Sequence, residues 1–165
     1  MNVAIFGRKV NKENAQYYSE LLKIFKEFGW NPIFHDSLKE KLIKKIGISD
    51  TCDTFSSHKD FESGIDLSLS IGGDGTFIQN VKFVRSSEVP VLGINSGRLG
   101  FLANISKEHI ESAMELVQKK EFVHQKRSLI RVETDRNIFG DDNIAFNEVT
   151  LQKKDSASMI TVHAS

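Results

Sequence analysis

The spacing of apolar positions changes along the chain between the two-residue period of a strand and the roughly 3.6-residue period of a helix. Residues 2–6 (NVAIF) run apolar up to Gly7, as a buried first strand does. Residues 13–28 place Tyr17, Leu21, Ile24, Phe25 and Phe28 on one helical face, and Gly29 follows where a left-handed residue ends a helix. Residues 31–35 (NPIFH) read as a second strand, with Pro32 near its start, where a missing N–H does least harm. Ser37-Leu38-Lys39-Glu40 has the form of a capping box and opens a helix with Leu38, Leu42, Ile43 and Ile46 inward and Gly47 past its end. Lys39, Lys41, Lys44 and Lys45 read as its solvated face. Residues 49–64 are polar and aperiodic, a connecting loop anchored by Phe55 and Phe61. Residues 66–71 (DLSLSI) form a strand, 77–84 a helix, and 89–94 (VPVLGI) a strand. Residues 106–120 form a capped helix with Ile110, Ala113, Met114 and Val117 inward. Strand–helix alternation over residues 1–120 predicts an α/β domain, a parallel Rossmann-like sheet with flanking helices.

The pattern then changes. Residues 128–134, 144–152 and 159–163 are strand-like with no helix between them, and 135–143 is turn-rich. Residues 121–165 are therefore expected to begin an all-β, antiparallel domain, and the chain to be the N-terminal portion of a longer protein. Three strands rarely make an independent domain.

Charge narrows the functional classes. Lys plus Arg and Asp plus Glu both number 22, so the net charge is zero. A dedicated nucleic-acid or anionic-membrane binder draws its affinity from excess basic charge, so both are disfavoured, while a local basic site for a phosphorylated small molecule is not. Cys52 is the only cysteine, which excludes an intrachain disulfide and a cysteine-based zinc site. The five histidines lack metal-ligand spacing. With no secretory pattern and no uncharged stretch near the roughly eighteen residues of a membrane span, the expected location is the cytoplasm.

Candidate chemistry sits in two glycine turns. Gly72-Gly73-Asp74-Gly75-Thr76 lies between a strand and a helix. Three glycines permit positive φ and close backbone approach to a ligand, and the helix N-terminus suits a phosphate. A carboxylate repels phosphate, so Asp74 should have a job as general base, metal ligand or hydroxyl acceptor. The second turn, from Gly93 to Leu102, follows the next strand. Adjacent strands would bring both turns to one edge, where ligands of such sheets bind. Neither turn matches GxGxxG or the Walker loop.

GGDGTF at residues 72–77, GINSGRLGFLA at 93–103 and FNEVTL at 146–151 together resemble the NAD kinases. The resemblance implies an N-terminal α/β domain followed by a β-rich domain, and transfer of the ATP γ-phosphoryl to the 2′-hydroxyl of the adenosine ribose of NAD. It implies a divalent cation, usually magnesium, as cofactor, NAD and ATP as partners, and a homodimer or homotetramer. Residue by residue, Asp74 matches the catalytic proton acceptor and Gly72, Gly73 and Gly75 the phosphate-approach glycines. Phe101 matches an aromatic beside the adenine, and Asn147 and Glu148 the pair that holds ribose hydroxyls. Asn95 is a candidate substrate contact, and Arg98 takes no assigned role. A Gly/Ser/Thr-rich segment that completes the family's site does not occur in these 165 residues. GGDGT is shared with diacylglycerol-type lipid kinases, the alternative enzyme class, and a non-catalytic nucleotide-binding module is the third reading. Asn147 and Glu148 are neighbours, so on a regular strand they would face opposite ways; serving one ligand requires the strand to bulge, twist or end there.

Overall fold

The computed structural model describes residues 1–97, 100–152, 159, 161 and 163, and divides into two compact units, Met1–Arg127 and Ser128–Ser165. The first unit holds six parallel strands: β1 (Asn2–Gly7), β2 (Asn31–His35), β3 (Thr54–Phe55), β4 (Leu67–Gly72), β5 (Val91–Asn95) and β6 (Ile105–Ser106). Their order across the sheet is β3-β2-β1-β4-β5-β6. The chain winds outward from β1 in one direction and from β4 in the other. The reversal between β1 and β4 is the switch point at which doubly wound sheets open a crevice.

Four helices cover the sheet: α1 (Lys12–Phe28), α2 (Asp36–Ile46), α3 (Asp74–Val84) and α4 (Ile110–Lys119). Alternation along β1 divides the core. Val3 and Ile5 join Leu67, Leu69, Ile71 and Ile94 under residues of α1, α2 and α4, among them Phe25, Leu42 and Met114. Ala4 and Phe6 face the other way, with Phe55, Phe61 and Val84. Burying one such side chain stabilises the fold by roughly 1.5–3 kcal/mol. Serines 68 and 70 alternate with the leucines of β4 but are fully buried. Ser68 Oγ and the Asn80 side chain of α3 exchange hydrogen bonds at 2.9 and 3.1 Å. Central strands are covered on both faces, so here alternation separates two packed layers rather than core from solvent.

Gly29 and Gly47 end α1 and α2 in the left-handed region, both at φ 67°. Several expectations change. The cap of α2 is His35, whose Nδ1 accepts the Ser37 N–H at 3.2 Å, so the chain turns into the helix before Ser37. Lys39 is not simply solvated: its Nζ donates to the carbonyls of Asp50 and Cys52 at 2.6 and 2.9 Å, tying down the segment that leads into β3. That segment was expected to be loop throughout, yet Thr54 and Phe55 pair with β2; Phe55 and Phe61 are buried anchors as expected. Ser106 opens a 3₁₀ turn, Lys107–His109, and its hydroxyl meets His109 Nδ1 at 2.8 Å instead of capping α4.

In the second unit β7 (Ile130–Arg131) and β8 (Ile144–Ala145) pair antiparallel. Both are far shorter than the strands expected over 128–134 and 144–152. Of the expected strand at 159–163, residues 160 and 162 lie outside the described residues. No helix among the described residues is long and apolar enough to cross a membrane.

Candidate active site

Only Gly73 separates the end of β4 from the start of α3, so the glycine turn is itself the entry to the helix. Gly73 is extended (φ −98°, ψ −173°), and its carbonyl accepts the N–H groups of Thr76 and Phe77 at 2.9 and 3.1 Å. None of Gly72, Gly73 and Gly75 uses the left-handed region that glycine permits in this turn. Space accounts for Gly72, where a Cβ would run into the Thr76 side chain. Gly73 and Gly75 face open space, with no atom within 4 Å of a Cβ position. Backbone is thus exposed at the positive end of the α3 dipole, the arrangement that favours an approaching anion.

Asp74 stands in the first turn of α3 and reaches the connection between β5 and β6. Its Oδ2 accepts the Phe101 N–H at 2.9 Å, and its Oδ1 accepts those of Leu102 and Ala103, each at 3.0 Å. Those three donors, Ala103 foremost, hold its carboxyl below the usual carboxylate range. The register Gly72↔Asn95 sets the two glycine turns side by side, as adjacent strands were expected to do.

The second turn is fitted closely to the first. A Cβ on Gly100 would overlap the Asp74 carboxylate. One on Gly93 would sit 2.7 Å from Ala103 Cα and 2.9 Å from Phe77 Cδ2. Asn95 is 3% exposed; its Nδ2 donates to the Ala103 carbonyl at 3.1 Å and its Oδ1 accepts the Gly97 N–H at 2.7 Å. The Phe101 ring, 98% exposed, projects from this pinned backbone. Gly93 and Gly100 were not singled out from the sequence, although their place in the motif GINSGRLG was visible.

At the neighbouring end of β1, Arg8 and Lys9 are exposed and Lys41 Nζ donates to the Arg8 carbonyl at 2.9 Å. A neutral chain therefore carries basic residues beside the switch point. Asp74, Gly72, Gly73, Gly75, Asn95 and Phe101 all belong to the first unit. Asn147 and Glu148 belong to the second, where both are exposed and follow β8, which ends at Ala145. Arg98 lies outside the described residues. No three His, Cys, Asp or Glu side chains converge as a metal cage among the described residues.

Fold and turns define a doubly wound α/β domain with two glycine turns at the carboxyl ends of β4 and β5, a class used widely to hold nucleotides. Residues 3–122 match the family model of the ATP-NAD kinase N-terminal domain, and the chain belongs to that family. It is 36% identical to an NAD kinase of Flavobacterium psychrophilum over 164 residues, covering 98% of this chain and 56% of that protein. An NAD kinase of Cytophaga hutchinsonii is also 36% identical, with 99% and 56% covered. The chain thus spans about half the length of the curated relatives it matches. The crystal structure of yeast NADH kinase complexed with NADH shares the fold, with a TM-score of 0.63 at 20% identity over 78% of this chain and 41% of that one.

Proposed function

We propose that this chain is the N-terminal part of a cytoplasmic NAD kinase that moves the γ-phosphoryl of ATP to the 2′-hydroxyl of the adenosine ribose of NAD. The bond between the γ-phosphorus and the β,γ-bridging oxygen breaks, a bond from phosphorus to the ribose oxygen forms, and ADP leaves. The hydroxyl proton passes to Asp74. The observation that carries this reading is the Asp74 carboxylate standing among open glycine backbone at the head of α3.

Three backbone donors make Asp74 a weak base that stays ionised near neutrality. Oδ2 accepts one of them and Oδ1 two, so Oδ2 keeps a lone pair for the incoming hydroxyl. Phosphoryl transfer runs through a loose transition state, so orienting the hydroxyl and accepting its proton late suffices. Exposed backbone at Gly73 and Gly75 receives phosphate oxygens, Phe101 stacks on the adenine, and Asn147 and Glu148 bind ribose hydroxyls. Asn95 supports the second turn from beneath. Magnesium would be held mainly by the substrate phosphates, where it would neutralise developing charge. Residues 121–165 begin the β-rich domain, and the active assembly is a homodimer or homotetramer.

The test supplies the full-length protein with ATP and magnesium and offers NAD, NADH or diacylglycerol. NADP formation is expected and no phosphorylated lipid. Asp74→Asn should lower kcat by about 10²-fold, more than it raises KM for NAD. Lipid phosphorylation, or Asp74→Asn turnover within a few-fold of wild type, overturns the respective part of the reading.

A further inference from the structure

The Asp74 carboxylate has a second partner set besides any substrate. All three N–H groups of residues 101–103 converge on it at 2.9–3.0 Å, and the space it fills exists because residue 100 has no Cβ. The turn is closed further by the Gly100 N–H, 3.4 Å from the Ala103 carbonyl, and by Asn95 donating to the same carbonyl. At its apex stands Phe101, 98% exposed. A large apolar ring that gains nothing by burial, carried on a backbone pinned by its own amide, is placed to meet a ligand.

We propose that Gly100 is a positioning residue for the dinucleotide: it admits the Asp74 carboxylate into the 100–103 turn, and that carboxylate fixes the Phe101 ring as a stacking platform for a purine base. One carboxylate then couples the two ends of the adenosine, orienting the ribose hydroxyl from Oδ2 while holding the base platform through the backbone. This rests on the dinucleotide reading above and adds a residue to it.

A double-mutant cycle on the full-length enzyme tests the coupling, with NAD affinity measured by calorimetry for wild type, Gly100→Ala, Asp74→Ala and the double variant. Gly100→Ala should weaken NAD binding at least 10-fold, because the added methyl group and the carboxylate cannot occupy one place. In the Asp74→Ala background the same substitution should change affinity less than 2-fold, because the obstacle has gone. Equal effects in both backgrounds, or unchanged NAD affinity in Gly100→Ala, overturn the proposal. In kinetics Gly100→Ala should raise KM for NAD more than it lowers kcat. Amide exchange without ligand gives an independent reading: the amides of residues 101–103 should be protected in wild type and lose at least 10-fold protection in Asp74→Ala. Unprotected wild-type amides overturn the latch even where Gly100→Ala fails to fold. Failure of the kinase reading shows separately, as wild-type protein that makes no NADP while its 101–103 amides stay protected.

Discussion

Tyr18 and Gly7 show how one residue's size sets its neighbour's identity. The Tyr18 side chain is 1% exposed, and its hydroxyl has no hydrogen-bond partner among the described residues. Burial pushes its pKa up. The hydroxyl lies where a Cβ on Gly7 would stand, with the Ile71 carbonyl 3.3 Å from that point. An unsatisfied buried hydroxyl is a cost that phenylalanine removes, so Tyr18→Phe should raise stability by about 1 kcal/mol. Gly7→Ala alone should lose about 1–3 kcal/mol through overpacking. In Gly7→Ala/Tyr18→Phe most of that loss should return, because the ring ends short of the new methyl group. Urea denaturation of the four proteins measures this; additive effects would mean the two residues do not share that space.

At the scale of the element, α2 depends on a histidine that must stay neutral. His35 Nδ1 accepts the Ser37 N–H, and the ring packs edge-on against Phe6 and Phe55. Desolvation lowers its pKa, with Asp36 opposing and Lys41 adding to the shift. The unfolded chain therefore takes up this proton first as pH falls. The cap's contribution, about 1 kcal/mol, is fully present above the ordinary histidine pKa of roughly 6.5 and is lost as pH falls through the lower folded value. His35→Asn keeps a capping oxygen without the titration, so its urea midpoint should fall less than that of wild type between pH 7.5 and 5; equal falls would remove His35 from the pH response. Elements whose signal is local were legible in the sequence: α1 from its apolar face and Gly29, β1 from its apolar run, the inward face of α4 from Ile110, Met114 and Val117. His35 as a cap was not, because the Ser37–Glu40 pattern fits a capping box equally well. The two-residue strands β3 and β6 were not either, since pairing with a neighbour and not periodicity makes them strands. At the site, Asp74 and its glycines were visible as a motif. The bonds from Asp74 to residues 101–103 span 27 to 29 positions and depend on how β4 and β5 lie together, which no local pattern encodes.

On the scale of the whole molecule, the buried apolar residues among those described run from Val3 to Val117, all inside the first unit. A protein ending at Arg127 should therefore unfold in one cooperative transition, with a melting temperature within a few degrees of the 165-residue chain; a broad, non-cooperative melt in calorimetry would show that Ser128–Ser165 supports the sheet. The two outermost strands of that sheet, β3 and β6, have only two residues each. A long bare edge invites foreign strands to add to it, and shortening the edge is one way proteins prevent this. Here both flanks offer almost no free ladder. Copies of this unit that meet at high concentration have little with which to knit their sheets together. Any association between copies of this unit would have to be made by side chains meeting across surfaces, a contact that can be tuned or dissolved without disturbing the strands beside Asp74.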